Sequence, residues 1–169
     1  MKRETIRPIC YFALTALAGC GLHFLYDWSP NVLFAMLSPV QESVWEHGKL
    51  IFWPMLAAAL LYTHRDKNQR AGWYLGLLTA QGLLLLFGWV YHVRMERMSL
   101  PVDIAAFVVI LALGFAVAFW VPVSTRWKSP LLFGVGVFAL LFVVFSFWQP
   151  DGLLFADLEL ADALSVLPC

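Results

Sequence analysis

The stretch Val102–Val121, which reads VDIAAFVVILALGFAVAFWV, decides the fold class of this chain. It forms an apolar run that contains a single charged side chain, Asp103. A helix of about 20 residues is about 30 Å long, which is the thickness of the hydrocarbon core of a bilayer. The stretch therefore predicts a transmembrane helix.

The composition extends this prediction to the whole chain. Of its 169 residues, 62% are apolar and 13% are charged, whereas soluble domains have about 45–50% and about 25%. The 11 basic and 11 acidic residues are too few to cover a core that must also hide 14 Phe and 8 Trp. Most soluble folds are excluded, and the lipid bilayer is the expected partner. Because the net charge is zero and no large basic block occurs, nucleic acid is not expected.

Four further segments have the length and apolar character of a span. Together they predict an all-α integral membrane bundle that forms a single domain, with five spans at about residues 9–26, 44–62, 72–92, 102–121 and 131–148. The apolar stretch Asn31–Leu37 is too short to span, so we expect a short interfacial or re-entrant helix after the first span. Ser38, Pro39 and Gln41 form a pattern similar to a capping box, which predicts that the second spanning helix begins at Pro39.

The positions of Lys and Arg predict the orientation of the bundle. Eight of the 11 basic residues share one side, which is expected to be cytoplasmic: Lys2, Arg3, Arg7, Arg65, Lys67, Arg70, Arg126 and Lys128. The N-terminus is then cytoplasmic and the C-terminus external. The tail, residues 149–169, is acidic and is expected to be a solvated external surface or a contact for a partner.

The sequence Leu17-Ala18-Gly19-Cys20 leaves an alternative open for the N-terminus. It follows a basic start and an apolar run, as does a bacterial lipoprotein signal that is cleaved before a lipid-modified cysteine. The apolar run continues beyond Cys20 to Leu25, which favours an uncleaved first span.

Histidine and carboxylate residues are concentrated on the predicted external side. His23 ends the first span, His47 opens the second and His92 ends the third, with Glu42 and Glu46 next to His47. Imidazole nitrogen and carboxylate oxygen are ligands that suit zinc, manganese or iron. The pattern predicts a divalent metal site, with zinc as one candidate and His23, His47, His92 and Glu42 as the ligands.

Two residues beside this cluster have the chemistry of catalytic groups. Glu46 is a candidate general base for a metal-bound water that hydrolyses a lipid or another substrate at the membrane edge. Ser43 lies one helical turn before His47, which is a spacing that allows a nucleophile and its base to meet. Glu46 and Lys49 also have the i,i+3 spacing of an ordinary ion pair, so a structural role for Glu46 is left open.

A non-enzymatic function is the alternative hypothesis. In that case the chain is a subunit of a membrane complex or a homo-oligomer, and its external polar segment and acidic tail bind the partner. A transporter is disfavoured, because Thr15, Thr79 and Gln81 are almost the only polar residues in the centres of the spans. The small residues at four-residue spacing from Gly72 to Ala80 indicate close helix packing.

The segments His23–Ser29 and Pro39–Lys49 resemble the signature of a known group of proteins. They read HFLYDWS and PVQESVWEHGK, and they are similar to an uncharacterised family of small bacterial multi-pass membrane proteins. The ESxWEHxK run at Glu42–Lys49 is the most specific part, and members of the family typically have Asn where this chain has Gln41. The resemblance implies a bacterial cytoplasmic (inner) membrane, and it implies no activity because none is assigned to the family.

Overall fold

The computed structural model describes residues 2–158, and every regular element in that range is helical. The helices are α1 (Lys2–His23), α2 (Leu25–Trp28), α3 (Val32–Leu37), α4 (Val44–Tyr62), α5 (Arg70–Gly88), α6 (Leu100–Trp120) and α7 (Lys128–Phe145). Short 3-10 turns precede α5 and α7, and a π-helical segment, Trp89–Arg94, continues α5. The all-helical prediction is confirmed for these residues, and the acidic Glu159 and Asp162 of the predicted tail lie outside them.

Three of the helical stretches are long and apolar enough to cross a membrane. They are Lys67–Arg94, Leu100–Trp120 and Thr125–Phe145. Their large apolar side chains include many that face outward, such as Trp120, which is 81% exposed, and Phe133, which is 74% exposed. Soluble proteins rarely expose apolar surface on this scale, so the outer surface of these helices is suited to lipid.

Helix α5 is the centre of the bundle. It packs against α4, α6 and α7, while α1 packs against α4 and α6. The contact between α5 and α6 is close: a Cβ atom added to Gly76 would lie 2.3 Å from the carbonyl oxygen of Gly114, and one added to Gly72 would lie 2.9 Å from that of Ala118. The packing role predicted for the small residues of α5 is thus confirmed.

The start of α4 differs from the sequence prediction. The helix begins at Val44 and not at Pro39, because Ser43 is the N-cap: its Oγ accepts a hydrogen bond from the Glu46 N–H at 3.3 Å. Ser38, the residue expected to cap the helix, instead follows the end of α3. Residues 38–43 are therefore a non-helical segment that joins α3 to α4.

The hydroxyl of Ser38 is engaged with the end of α1 and is not free to cap α4. Its Oγ donates to the carbonyl oxygen of Leu22 and accepts from the Tyr26 N–H. Helix α1 itself ends at His23, three residues before the predicted end of the first span. The expected short helix after it is present as α3, whose N-cap Asn31 accepts from the Phe34 N–H at 3.0 Å.

The close contact of α5 with α6 leads to a stability prediction. Gly76→Ala is expected to lower the free energy of unfolding by about 1–3 kcal/mol, because the new methyl group overlaps the backbone of α6. Gly82→Ala in the same helix is the matched control, since a Cβ there meets nothing within 4 Å; it should be neutral or stabilising by up to about 1 kcal/mol. Denaturant unfolding in detergent measures both, and equal effects of the two substitutions would contradict the observed packing.

Candidate metal centre

Three of the predicted ligands come together where the end of α1 meets the start of α4. His23 is the last residue of α1, Glu42 lies in the segment that joins α3 to α4, and His47 is in the first turns of α4. One potential ligand atom from each of the three residues lies within 4.8 Å of the others. His47 Nε2 is 3.2 Å from Glu42 Oε2, and the two imidazole ring centroids are 5.4 Å apart.

The hydrogen bonds of His47 fix which of its nitrogens faces the site. Its Nδ1 lies 2.9 Å from the carbonyl oxygen of Ser43. A carbonyl can only accept, so Nδ1 carries a proton and Nε2 is left to face Glu42. Two lone pairs at 3.2 Å repel each other, so the contact needs a proton or a metal ion between Nε2 and the Glu42 carboxyl. Metal-binding histidines commonly donate their other N–H to a backbone carbonyl in the same way.

The electrostatics of the site favour an ionised Glu42. The close contact with the His47 side chain holds the pKa of the Glu42 carboxyl below its ordinary value, against the opposing effect of partial burial. The nearby charges of His47 and His23 lower this pKa further. His23 Nδ1 is buried and has no hydrogen-bond partner within residues 2–158. The site therefore contains one carboxylate and two imidazoles, and at least one imidazole nitrogen, Nδ1 of His23, has no hydrogen-bond partner among the described residues.

The fourth predicted ligand, His92, lies in a separate pair. Its Nε2 is 3.1 Å from Oδ1 of Asp103 in the first turn of α6, and its Nδ1 is 2.9 Å from the carbonyl oxygen of Arg97. The contact with Asp103 has the distance of an ion pair but not the alignment of a hydrogen bond. Both nitrogens of His92 thus already face oxygen atoms, and its role as a metal ligand stays a prediction.

Glu46 and Lys49 form an ion pair whose two side chains are fully buried. Lys49 Nζ is 2.6 Å from Glu46 Oε2, which also accepts from the Val40 N–H at 2.9 Å. The i,i+3 ion pair with Lys49, which the sequence left open as an alternative role for Glu46, is confirmed. A catalytic role for Glu46, or for the buried N-cap Ser43, stays a prediction.

The ammonium group of Lys49 connects four segments of the chain. Besides Glu46, the carbonyl oxygens of Ala35 at 2.9 Å and Ser38 at 3.3 Å and the Oγ of Ser146 at 2.7 Å surround its Nζ. The three N–H groups of the ammonium are thus shared among four acceptors. Ser146 lies at the end of α7, and its hydroxyl donates a hydrogen bond to the carbonyl oxygen of Phe142. The ion pair therefore anchors the segment that carries Glu42 and Ser43.

Sequence reasoning missed the residues that follow α7. The C-terminal strap, defined here as Gly152–Leu158, folds back onto the start of α4. The Trp45 N–H donates to the carbonyl oxygen of Leu154 at 3.0 Å, and the Leu158 N–H donates to that of Glu42 at 2.8 Å. The apolar triplet Leu153-Leu154-Phe155 inside an acidic tail is the signal that marks this segment.

The fold and the site define a class: an all-helical protein with several membrane-capable helices and a His/Glu group suited to a metal ion. A family of unknown function, DUF6512, matches residues 7–161, and the chain belongs to that family. The prediction that the chain belongs to an uncharacterised family is thereby confirmed. No curated protein and no solved structure matches the chain.

The buried ion pair gives a second stability prediction. Lys49→Met is expected to lower the free energy of unfolding by about 3–5 kcal/mol, because it leaves the Glu46 carboxylate buried without its counter-charge. The double variant Glu46→Gln/Lys49→Met should recover part of that loss. Lys67→Met removes an exposed lysine and should change the free energy by less than about 0.5 kcal/mol. Thermal unfolding of the detergent-solubilised variants distinguishes these outcomes. A Lys49→Met variant as stable as Lys67→Met would contradict a stabilising role for the buried ion pair of Glu46 and Lys49.

Proposed function

We propose that this chain is a multi-pass membrane protein that binds a divalent transition metal, with zinc as the best candidate, through His23, Glu42 and His47. The observation that carries the proposal is the convergence of these three side chains at one point of the fold. They come from three different segments, so their proximity is a product of tertiary structure and not of sequence spacing.

The distances are compatible with a zinc ion. With zinc–ligand bonds of about 2.0–2.1 Å in a tetrahedral shell, neighbouring ligand atoms lie about 3.3–3.4 Å apart. The His47–Glu42 separation of 3.2 Å already matches this value. A movement of about 1.5 Å would bring the most distant atom of the group into the same shell.

A site with three protein ligands leaves one position of a tetrahedral zinc ion for water or another ligand. The side chains of Glu42 and His47 are about one-third exposed, at 35% and 33%, so that position has access to the outside. Hydrolysis at the membrane edge, with Glu46 or Ser43 in a catalytic role, remains a prediction, and the metal-binding proposal does not depend on it.

Metal binding is tested on protein purified in detergent without a histidine tag. The wild-type chain should bind about one zinc ion, and His23→Ala, Glu42→Gln and His47→Ala should each weaken binding by about 100-fold or more. His64→Ala removes an exposed histidine outside the group and is the matched control. Titration calorimetry and metal analysis measure the outcome, and His92→Ala in the same series tests the fourth predicted ligand. A wild-type chain that stays metal-free after loading would overturn the proposal.

We further propose that α1 and α4 also cross the membrane, which gives five spans with a cytoplasmic N-terminus and an external C-terminus. Three membrane-capable helices support the membrane setting. The orientation is supported by the Lys and Arg residues in the first turns of α1 and at, or just before, the starts of α5 and α7. The group formed by His23, Glu42 and His47 then lies at the external face, close to the end of α1 and the start of α4.

The orientation is tested with single cysteines in a chain whose native cysteines are replaced. Met98→Cys, before α6, should react with a membrane-impermeant maleimide on intact cells, because it lies on the proposed external side. Asn68→Cys, before α5, should react only after the cells are opened. Both native residues are exposed, so equal labelling of the two variants on intact cells would contradict the orientation.

A further inference from the structure

We infer that the C-terminal strap, Gly152–Leu158, is part of the metal-binding site because it positions the ligand Glu42, so that zinc binding and strap docking are coupled. This inference rests on the proposed function. It adds a positioning element from the opposite end of the chain, and no ligand is assigned to the strap itself.

The first observation is the direct contact between the strap and the residue that bears the ligand. The Leu158 N–H donates to the backbone carbonyl oxygen of Glu42 at 2.8 Å. Glu42 lies outside any helix, so no helical hydrogen bond holds its carbonyl oxygen. The strap supplies that hydrogen bond from 116 residues further along the chain.

Two more hydrogen bonds hold the residues on either side of Glu42. The side-chain amide of Gln41 donates to the carbonyl oxygen of Phe155 at 2.5 Å. The Trp45 N–H, one of the first-turn donors of α4 that no helical carbonyl can satisfy, donates to Leu154 at 3.0 Å. The strap thus binds the side chain of Gln41 and the backbone of Glu42 and Trp45.

An aromatic contact anchors the strap. The ring centroid of Phe155 lies 5.3 Å from that of Trp45 and 5.3 Å from that of Phe145 at the end of α7. Aromatic pairs at such distances stabilise a contact beyond their buried area. The strap is therefore docked by apolar packing and aligned by hydrogen bonds.

Coupling follows from linkage. If docking of the strap holds Glu42 in the position that zinc requires, docking raises the zinc affinity, and zinc must stabilise docking by the same factor. Partners that orient a metal ligand typically change metal affinity about 10–100-fold when they are removed.

The test uses the full-length chain in detergent and the zinc ion alone. Leu158→Pro removes the N–H that donates to Glu42 and should weaken zinc binding about 10-fold. Leu158→Ala keeps this N–H and should bind zinc within about 2-fold of wild type. Leu153→Pro introduces proline at the second position of the turn closed by the Phe155 N–H and Gly152, where proline is well accommodated, and it should also stay within about 2-fold.

A second measurement on the wild-type chain does not depend on any variant being folded. Zinc should slow amide hydrogen exchange in residues 152–158 and at Trp45, and it should leave exchange in the loop before α5 unchanged. Equal zinc affinity of Leu158→Pro and wild type, or unchanged exchange in the strap on zinc binding, would overturn the coupling while the metal site stands. No zinc binding by the wild-type chain would overturn the proposed function and this inference together.

Discussion

The structure around His23, Glu42 and His47 depends on one constraint, the buried ammonium group of Lys49. Removing an unpaired ammonium from water costs several kcal/mol, so each oxygen that surrounds it must stay in place. Those oxygens belong to Ala35 in α3, to Ser38, to Glu46 in α4 and to Ser146 at the end of α7. One side chain thereby connects segments that are far apart in sequence. These contacts exist only while all the contacting segments are folded.

The same ion pair explains why Glu46 and Glu42 differ although they lie four residues apart. Glu46 points into the bundle, where Lys49 and the Val40 N–H occupy one of its oxygens. Glu42 lies before the start of α4, is partly exposed, and faces His47. The two carboxylates thus have different environments: that of Glu46 is buried in an ion pair, and that of Glu42 is partly exposed beside a histidine.

The group formed by His23, Glu42 and His47 is supported from three directions by residues outside the proposed set of ligands. The Ser43 carbonyl orients His47, the Lys49 network holds the joining segment, and the C-terminal strap holds the backbone of Glu42. Ligand groups are most effective when their neighbours fix their orientation. A site at the meeting point of a helix end, a joining segment and a strap can be held this way only by contacts that are distant in sequence.

The sequence by itself determined the helical class, the approximate positions of the five long helices and the tight packing of α5, because apolar length and small-residue spacing are local properties. It also predicted that His23, Glu42 and His47 lie on the same side of the membrane. Only the tertiary structure decided that these three meet while His92 pairs with Asp103, and that α4 begins at Val44 because Ser38 is engaged with α1. These outcomes depend on which residues, distant in sequence, contact each polar atom in the folded chain. The spacing of residues along one helix contains no information about such contacts.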